Sequence, residues 1–159
     1  MQKGKPMRVT MIHAIAEPIP PVRLAFADEF PEAEIINVLD ETLLIDFDDQ
    51  LTSQLRQRMG NLISYCRDNQ ADAIALACSV YAPVVDTAKD LVDVPLVSSY
   101  GPVMADAVAA GRRVGLIASV PAAMRDSEYY LKLASEEAGT VVEPRLCLAE
   151  DLILVMRSE

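Results

Sequence analysis

An almost uninterrupted apolar run over residues 71–78 constrains the fold of this chain more than any other segment. The six residues before Cys78 are nearly all apolar, which is typical of a strand that is covered on both faces in a parallel sheet. A turn follows, and Pro83 then stands in the first turn of a helix predicted over residues 83–92, a position that suits proline. A buried strand that leads into a helix predicts an α/β architecture.

The same alternation of strand and helix extends along the chain. Further strands are predicted over residues 7–13, 34–39 and 94–98, and further helices over residues 18–30, which begin with a proline cluster, and 49–69. This order predicts a parallel sheet with helices on both faces.

A short internal repeat predicts that this arrangement begins a second time. The segment Arg-Val-Thr-Met-Ile at residues 8–12 is echoed by Arg-Val-Gly-Leu-Ile at residues 113–117, and each copy precedes a turn, a proline and a predicted helix. We therefore expect two similar lobes, the first over residues 1–110 and the beginning of a second over residues 111–159. At this offset the counterpart of Cys78 falls beyond the last residue, so we expect the second lobe to be incomplete.

Composition argues against several classes of function. The formal net charge is −10 and the basic residues do not cluster, so we expect no nucleic-acid partner. No apolar run approaches the roughly 18–20 residues that span a bilayer, and the N-terminus has no signal-peptide pattern. With three cysteines in no framework spacing, these features predict a cytoplasmic protein with no membrane partner.

No metal site is predicted either. The chain has one histidine and neither a CxxC nor an HExxH pattern. Acidic residues do cluster at residues 40–41 and 46–49, but acidic turns and helix N-termini explain these clusters better than a metal centre does.

Cys78 is the candidate catalytic residue, because ligands of open α/β sheets bind beyond the carboxyl ends of the strands. The N–H groups and positive dipole end of the next helix would lower the pKa of the thiol there, and we expect Cys78 to be alkylated fastest. The alternative is that Cys78 is a small buried hydrophobic residue. Cys66 lies on an apolar helical stripe and is predicted to be core, and Cys147 lies in a predicted strand and is predicted to be structural.

Several segments of the chain resemble the aspartate/glutamate/hydantoin racemase superfamily. The members of this superfamily are cofactor-independent enzymes with an active site between two similar α/β lobes. The matching stretches are residues 72–79, 91–96 and 113–119, and residues 18–40 resemble a less characterised racemase-like branch. The resemblance implies an isomerase independent of PLP and of any other cofactor. It would move a proton at the α-carbon of a small carboxylate or amino acid, with Cys78 as one acid/base.

The resemblance also implies residues that bind the substrate. Ser79, Val80 and Tyr81 would offer turn amides or a hydroxyl to a substrate carboxylate, and Ser119 matches a position that helps to bind carboxylate. His13 ends the first strand at the same sheet edge as Cys78. It is either an acid/base or carboxylate partner, or a hydrogen-bonded structural residue.

Departures from the family pattern keep other functions open. Residues 13–15 read His-Ala-Ile where glutamate racemases carry Asp-Ser-Gly, and the second-lobe cysteine is missing from the sequence. A one-cysteine decarboxylase or a maleate-type isomerase of the same superfamily would need only Cys78, as protonating acid or nucleophile. A non-catalytic ligand-binding domain that kept the fold is the third possibility.

The C-terminal segment predicts self-association. A helix expected over residues 148–156 carries one apolar stripe, formed by Leu148, Leu152, Val155 and Met156. Because large exposed apolar surfaces usually mark interfaces, we expect a homodimer.

Overall fold

The computed structural model describes residues 5–152 and residue 155. The chain divides into two compact units, residues 1–98 and residues 99–159, each with a parallel sheet of its own. In both units strands alternate with helices, which confirms the predicted α/β class.

The first unit is built on a four-stranded parallel sheet in the order β2-β1-β3-β4. Its strands are β1 (Arg8–His13), β2 (Glu34–Leu39), β3 (Ala73–Leu76) and β4 (Leu96–Val97). Its helices are α1 (Ile19–Glu29), α2 (Thr42–Ile45), α3 (Ser53–Asp68) and α4 (Ala82–Ala88), with 3-10 turns at Ser79–Tyr81 and Lys89–Leu91. The predicted strands are all present, and the helix predicted over residues 83–92 is α4 followed by the second 3-10 turn.

Helices cover both faces of this sheet. Ile35 lines a cavity with Phe26 of α1, whereas the next residue of β2, Ile36, lines one with Cys66 of α3. Successive side chains of a strand point to opposite faces, so α1 and α3 lie on opposite sides of the sheet. This confirms the predicted arrangement of helices about the first sheet.

The apolar stripe of α3 supplies much of the core. Leu55, Met59, Ile63 and Cys66 are all buried, at the spacing of one helical face. The helix is capped by Thr52, whose hydroxyl oxygen accepts a hydrogen bond from the backbone N–H of Leu55 at 3.2 Å. The predicted core position of Cys66 is confirmed.

The second unit holds a smaller sheet. Its elements are α5 (Gly101–Ala110), β5 (Arg113–Ala118), α6 (Pro121–Glu137) and β6 (Glu143–Leu148). Strands β5 and β6 pair in parallel. Burial alternates along β5, with Val114, Leu116 and Ala118 buried, while all six residues of β6 are exposed.

Helix α5 packs on α6 within this unit. The hydroxyl of Tyr100 donates to the carbonyl oxygen of Ala123 at 2.9 Å, and the rings of Tyr100 and Tyr130 stack with centroids 5.1 Å apart. Helix α5 therefore belongs to the second compact unit, whereas the sequence analysis placed it in the first lobe. The division into lobes at residue 110 stays a prediction.

The C-terminal segment differs from its prediction at one end. Leu148 is the last residue of β6, so it cannot begin a helix there. Leu152 and Val155 are exposed, and the N–H of Val155 donates to the carbonyl of Asp151 as in a helix. Met156, the remaining member of the predicted stripe, lies outside the described residues.

Candidate active site

Cys78 lies just beyond the hydrogen-bonded end of the central strands. The N–H of Ala77 still donates to the carbonyl of Ile12 at 2.9 Å, and Cys78, in extended backbone conformation, is the residue that precedes the 3-10 turn. The backbone N–H groups of Val80 and Tyr81 hydrogen-bond to the Cys78 thiol and favour its thiolate. The side chain is half-buried.

Burial outweighs these donors. Desolvation raises the pKa of Cys78 to about 11, against the opposing effect of the two backbone N–H groups. The lowered pKa predicted from the sequence is therefore wrong. The reason is desolvation of the thiol. Because α4 begins only at Ala82, the donors beside the sulfur belong to the short 3-10 turn. In this structure Cys78 is a thiol at neutral pH.

The three thiols differ in access. Cys66 is buried, and desolvation raises its pKa to about 11, whereas Cys147 is exposed on β6. The rate of alkylation depends on the thiolate fraction and on access. The predicted ranking, with Cys78 first, therefore has no support in this structure, where access favours Cys147.

His13 is buried at the end of β1, with 1% of its surface exposed. Its Nε2 lies 2.8 Å from Oδ1 of Asn37 in β2. Burial lowers the pKa of His13, and the hydrogen bond to Asn37 opposes this only in part, so the ring is neutral at pH 7. Sequence reasoning missed Asn37, although a polar residue inside the apolar strand Glu34–Leu39 was the available signal.

The 3-10 turn after Cys78 is committed to contacts within the fold. Tyr81 is fully buried, and its hydroxyl donates to the carbonyl of Leu43 in α2 at 2.7 Å. Burial raises the pKa of this hydroxyl well above its ordinary value. The Tyr81 hydroxyl is therefore already engaged with α2, and the prediction that it could bind a ligand is wrong. The Val80 side chain is buried as well, and Ser79 is half-buried.

Ser119 belongs to the second unit, where it directly follows β5 and is half-buried. The structure thus places His13, Cys78 and residues 79–81 in the first unit and Ser119 in the second. The proposed roles of these residues in binding stay predictions.

An arginine that the sequence analysis passed over organises the end of β2. Arg58 of α3 pairs with Asp46 at 2.6 Å and with Asp40 at 3.3 Å and also hydrogen-bonds to Thr42. Burial raises the pKa of Asp40, but hydrogen bonds from Thr42 and Arg58 together outweigh it and hold that pKa below its ordinary value. The N–H of Asp40 donates to the carbonyl of His13 at 3.0 Å, which ties this cluster to the end of β1.

Asp40 and Asp46 thus have a structural partner in Arg58. Among residues 5–152 and residue 155, no group of three or more His, Cys, Asp or Glu side chains is arranged to hold a metal ion.

Comparison with known proteins relates most of the chain to one family. The family model described as Asp/Glu/Hydantoin racemase matches residues 25–151. No curated protein sequence matches the chain.

Solved structures share the fold. The glutamate racemase from Aquifex pyrophilus is 17% identical, with a TM-score of 0.70 over 89% of this chain and 55% of that one. The glutamate racemase from Francisella tularensis subsp. tularensis SCHU S4, solved in complex with D-glutamate, is 17% identical, with a TM-score of 0.66 over 96% of this chain and 57% of that one. The chain thus spans just over half the length of these enzymes, and the likeness concerns the fold.

Proposed function

The chain belongs to the Asp/Glu/hydantoin racemase family, and on that basis we propose that it acts in isomerisation at the α-carbon of a small carboxylate or amino acid, without PLP or another cofactor and with Cys78 as one acid/base. One observation carries this proposal for Cys78. Its thiol stands at the carboxyl end of β3, one residue beyond the last hydrogen bond to β1, with two backbone N–H groups directed at the sulfur. In parallel α/β sheets this edge is where ligands bind.

The reaction needs a base and an acid on opposite faces of the α-carbon. The base removes the α-proton, the electron pair left on carbon is delocalised into the carboxyl group, and the acid returns a proton to the other face. With a pKa of about 11, Cys78 is suited to the second step, because its sulfur carries the proton to be donated. For the first step its thiolate needs stabilisation beyond that of Val80 and Tyr81.

The same observation favours a second candidate function. A one-cysteine decarboxylase needs only a proton donor, which delivers its proton to the carbanion left when CO2 departs. A Cys78 thiol of raised pKa fits this role, and no second cysteine is required. Among the alternatives raised by the sequence, this one draws support from the structure.

Deuterium exchange at the α-carbon tests the proposed isomerase. We would incubate the 159-residue chain in D2O with a panel of amino acids and small carboxylic acids and follow loss of the α-proton signal by NMR. We expect exchange with at least one compound, and we expect Cys78→Ser to slow it about 100-fold or more, the usual loss when a general acid/base is removed. Cys147→Ser, which removes an exposed thiol, is the matched control and should exchange at the wild-type rate.

The outcomes separate the candidate functions. Exchange that survives Cys78→Ser would remove Cys78 from the mechanism. Release of CO2 from malonate-type acids, without α-exchange of amino acids, would favour the decarboxylase. Binding of a carboxylate without any turnover would favour a non-catalytic ligand-binding domain.

Assembly and location are part of the same proposal. We propose a cytoplasmic homodimer, as the sequence analysis expected. None of the helices in the described residues is long and apolar enough to cross a membrane. Sedimentation at high micromolar concentration tests the dimer, and a strictly monomeric species would contradict it.

A further inference from the structure

A buried polar pair in the first unit has unused hydrogen-bonding capacity. His13 ends β1, and Asn37 lies in β2 opposite Met11. Because alternate residues of a strand share a face, His13 and Asn37 are on the same side of the sheet, and the ring leans across to the neighbouring strand. Its Nε2 meets Oδ1 of Asn37 at 2.8 Å.

This contact uses one of the two ring nitrogens of His13 and only the oxygen of the Asn37 amide. A neutral imidazole has one N–H donor and one lone-pair acceptor, and a primary amide has an oxygen acceptor and an NH2 donor. His13 Nδ1 and Asn37 Nδ2 are both buried and have no hydrogen-bond partner among the described residues. Buried polar atoms are nearly always paired, so this pair stands apart from the satisfied hydroxyl of Tyr81.

The position of Asn37 determines what His13 can do. If Nε2 donates to Oδ1 of Asn37, the proton of the neutral ring is fixed on Nε2 and Nδ1 holds a lone pair. The hydrogen bond on one ring nitrogen sets the role of the other. His13 is then an acceptor, which attracts an ammonium, hydroxyl or thiol proton and repels a carboxylate oxygen.

We propose that Asn37 is a positioning residue that holds His13 in the Nε2–H tautomer, so that His13 enters the candidate site as a neutral hydrogen-bond acceptor. This rests on the proposed function only in placing His13 at the site. It decides between the two functional roles that the sequence left open for His13, in favour of the acid/base role and against that of a carboxylate partner. Burial of the ring, which disfavours the imidazolium, supports the neutral form.

The composition of the chain makes the test direct. His13 is the only histidine among the 159 residues, so the long-range ¹H–¹⁵N imidazole spectrum of the full chain contains signals from this ring alone. At pH 8 we expect a protonated Nε2 and an unprotonated Nδ1. A proton on Nδ1 would overturn the proposal, because it would mean that the amide of Asn37 donates to the ring.

Variants of Asn37 test its role as the cause. Asn37→Leu removes the acceptor, and we expect the spectrum to move toward the mixed tautomers of a free imidazole. Asn37→Asp keeps an oxygen at this position and should keep the proton on Nε2. Asn61→Leu, on the exposed side of α3, is the matched control and should leave the spectrum unchanged.

The proposal and the proposed function can fail separately. A wild-type tautomer that persists in Asn37→Leu would overturn the proposal, whatever the activity. If Asn37→Leu does not fold, the wild-type and Asn37→Asp spectra still decide, since a ring with its proton on Nδ1 and none on Nε2 in either contradicts the proposal. Absence of α-proton exchange with every compound would instead count against the isomerase and leave the tautomer assignment standing.

Discussion

The repeated segment lies in two different environments in the two units. In β1, Ile12 is fully buried, whereas its counterpart in β5, Ile117, has 72% of its surface exposed. The opposite face of the strand is buried in both copies. Val9 and Met11 are buried in β1, and Val114 and Leu116 are buried in β5. One repeated pattern thus gives a strand covered on both faces in the first unit and on one face in the second.

Sheet width and helix coverage explain this difference. Strand β1 lies between β2 and β3, and helices α1 and α3 lie on the two faces of its sheet. Within the described part of the second unit the sheet has two strands, and β6 is exposed along its whole length. The apolar pattern of a strand therefore indicates which faces can be buried, and neighbouring elements decide which of them are.

Substitution of the paired isoleucines tests this contrast with the largest expected effect. Ile12→Ala should lower the free energy of unfolding by about 2–5 kcal/mol, because it leaves a cavity in the core. Ile117→Ala should change it by about 0.5 kcal/mol or less, as exposed substitutions usually do. Urea denaturation of the two variants makes the measurement. A large cost for Ile117→Ala would mean that this face is covered in solution.

Tyrosine hydroxyls provide a second contrast between the units. Tyr81→Phe removes the buried hydrogen bond to the carbonyl of Leu43 and should cost about 1–3 kcal/mol, because the carbonyl stays buried without its donor. Tyr129→Phe, at an exposed ring on α6, is the matched control and should cost little. If Tyr81→Phe leaves the free energy of unfolding unchanged, the position of α2 does not depend on this hydrogen bond.

The alkylation rates of the three thiols give a third contrast between the units. We expect iodoacetamide at pH 7.5 to modify exposed Cys147 at least tenfold faster than Cys78, whose pKa of about 11 leaves little thiolate. Buried Cys66 should be the slowest. Peptide mass spectrometry after timed quenching gives the three rates. Faster labelling of Cys78 would show that its thiolate is stabilised beyond the two backbone N–H groups, as the base role requires.

The smallest expected effect is the pH dependence of stability that His13 in the first unit causes. Because burial lowers the pKa of His13, the unfolded chain binds a proton more readily, near its ordinary pKa of about 6.5. The contribution of His13 to stability should therefore be constant above that pH and fall below it, by at most about 1.4 kcal/mol per pH unit. Denaturation midpoints at pH 7.5 and 5.5 measure the effect. His13→Gln should remove this contribution, and an unchanged slope would assign it to other groups.

Much of the fold could be predicted from local pattern. Strand β2 begins and ends where the sequence predicted, and the proline cluster starts α1. Both could be predicted because the spacing of apolar residues and the geometry of proline depend on only a few neighbouring residues. Features that depend on distant partners could not be predicted. The raised pKa of Cys78 follows from its surroundings, and the pairing of His13 with Asn37 follows from the register of β1 against β2. Arg58 contacts Asp40 only once α3 is docked.

The unpaired edge of strand β6 affects how readily copies of this chain aggregate. Within the described residues it has a strand neighbour on one side only, and a bare strand edge is a template for cross-β aggregation. In the first half of β6, pairing with another chain is opposed by the charges of Glu143 and Arg145 and by Pro144, which lacks an N–H. The second half, residues 146–148, is uncharged and exposed. Aggregation on storage should therefore nucleate at residues 146–148, and a lysine in place of Leu146 should delay it.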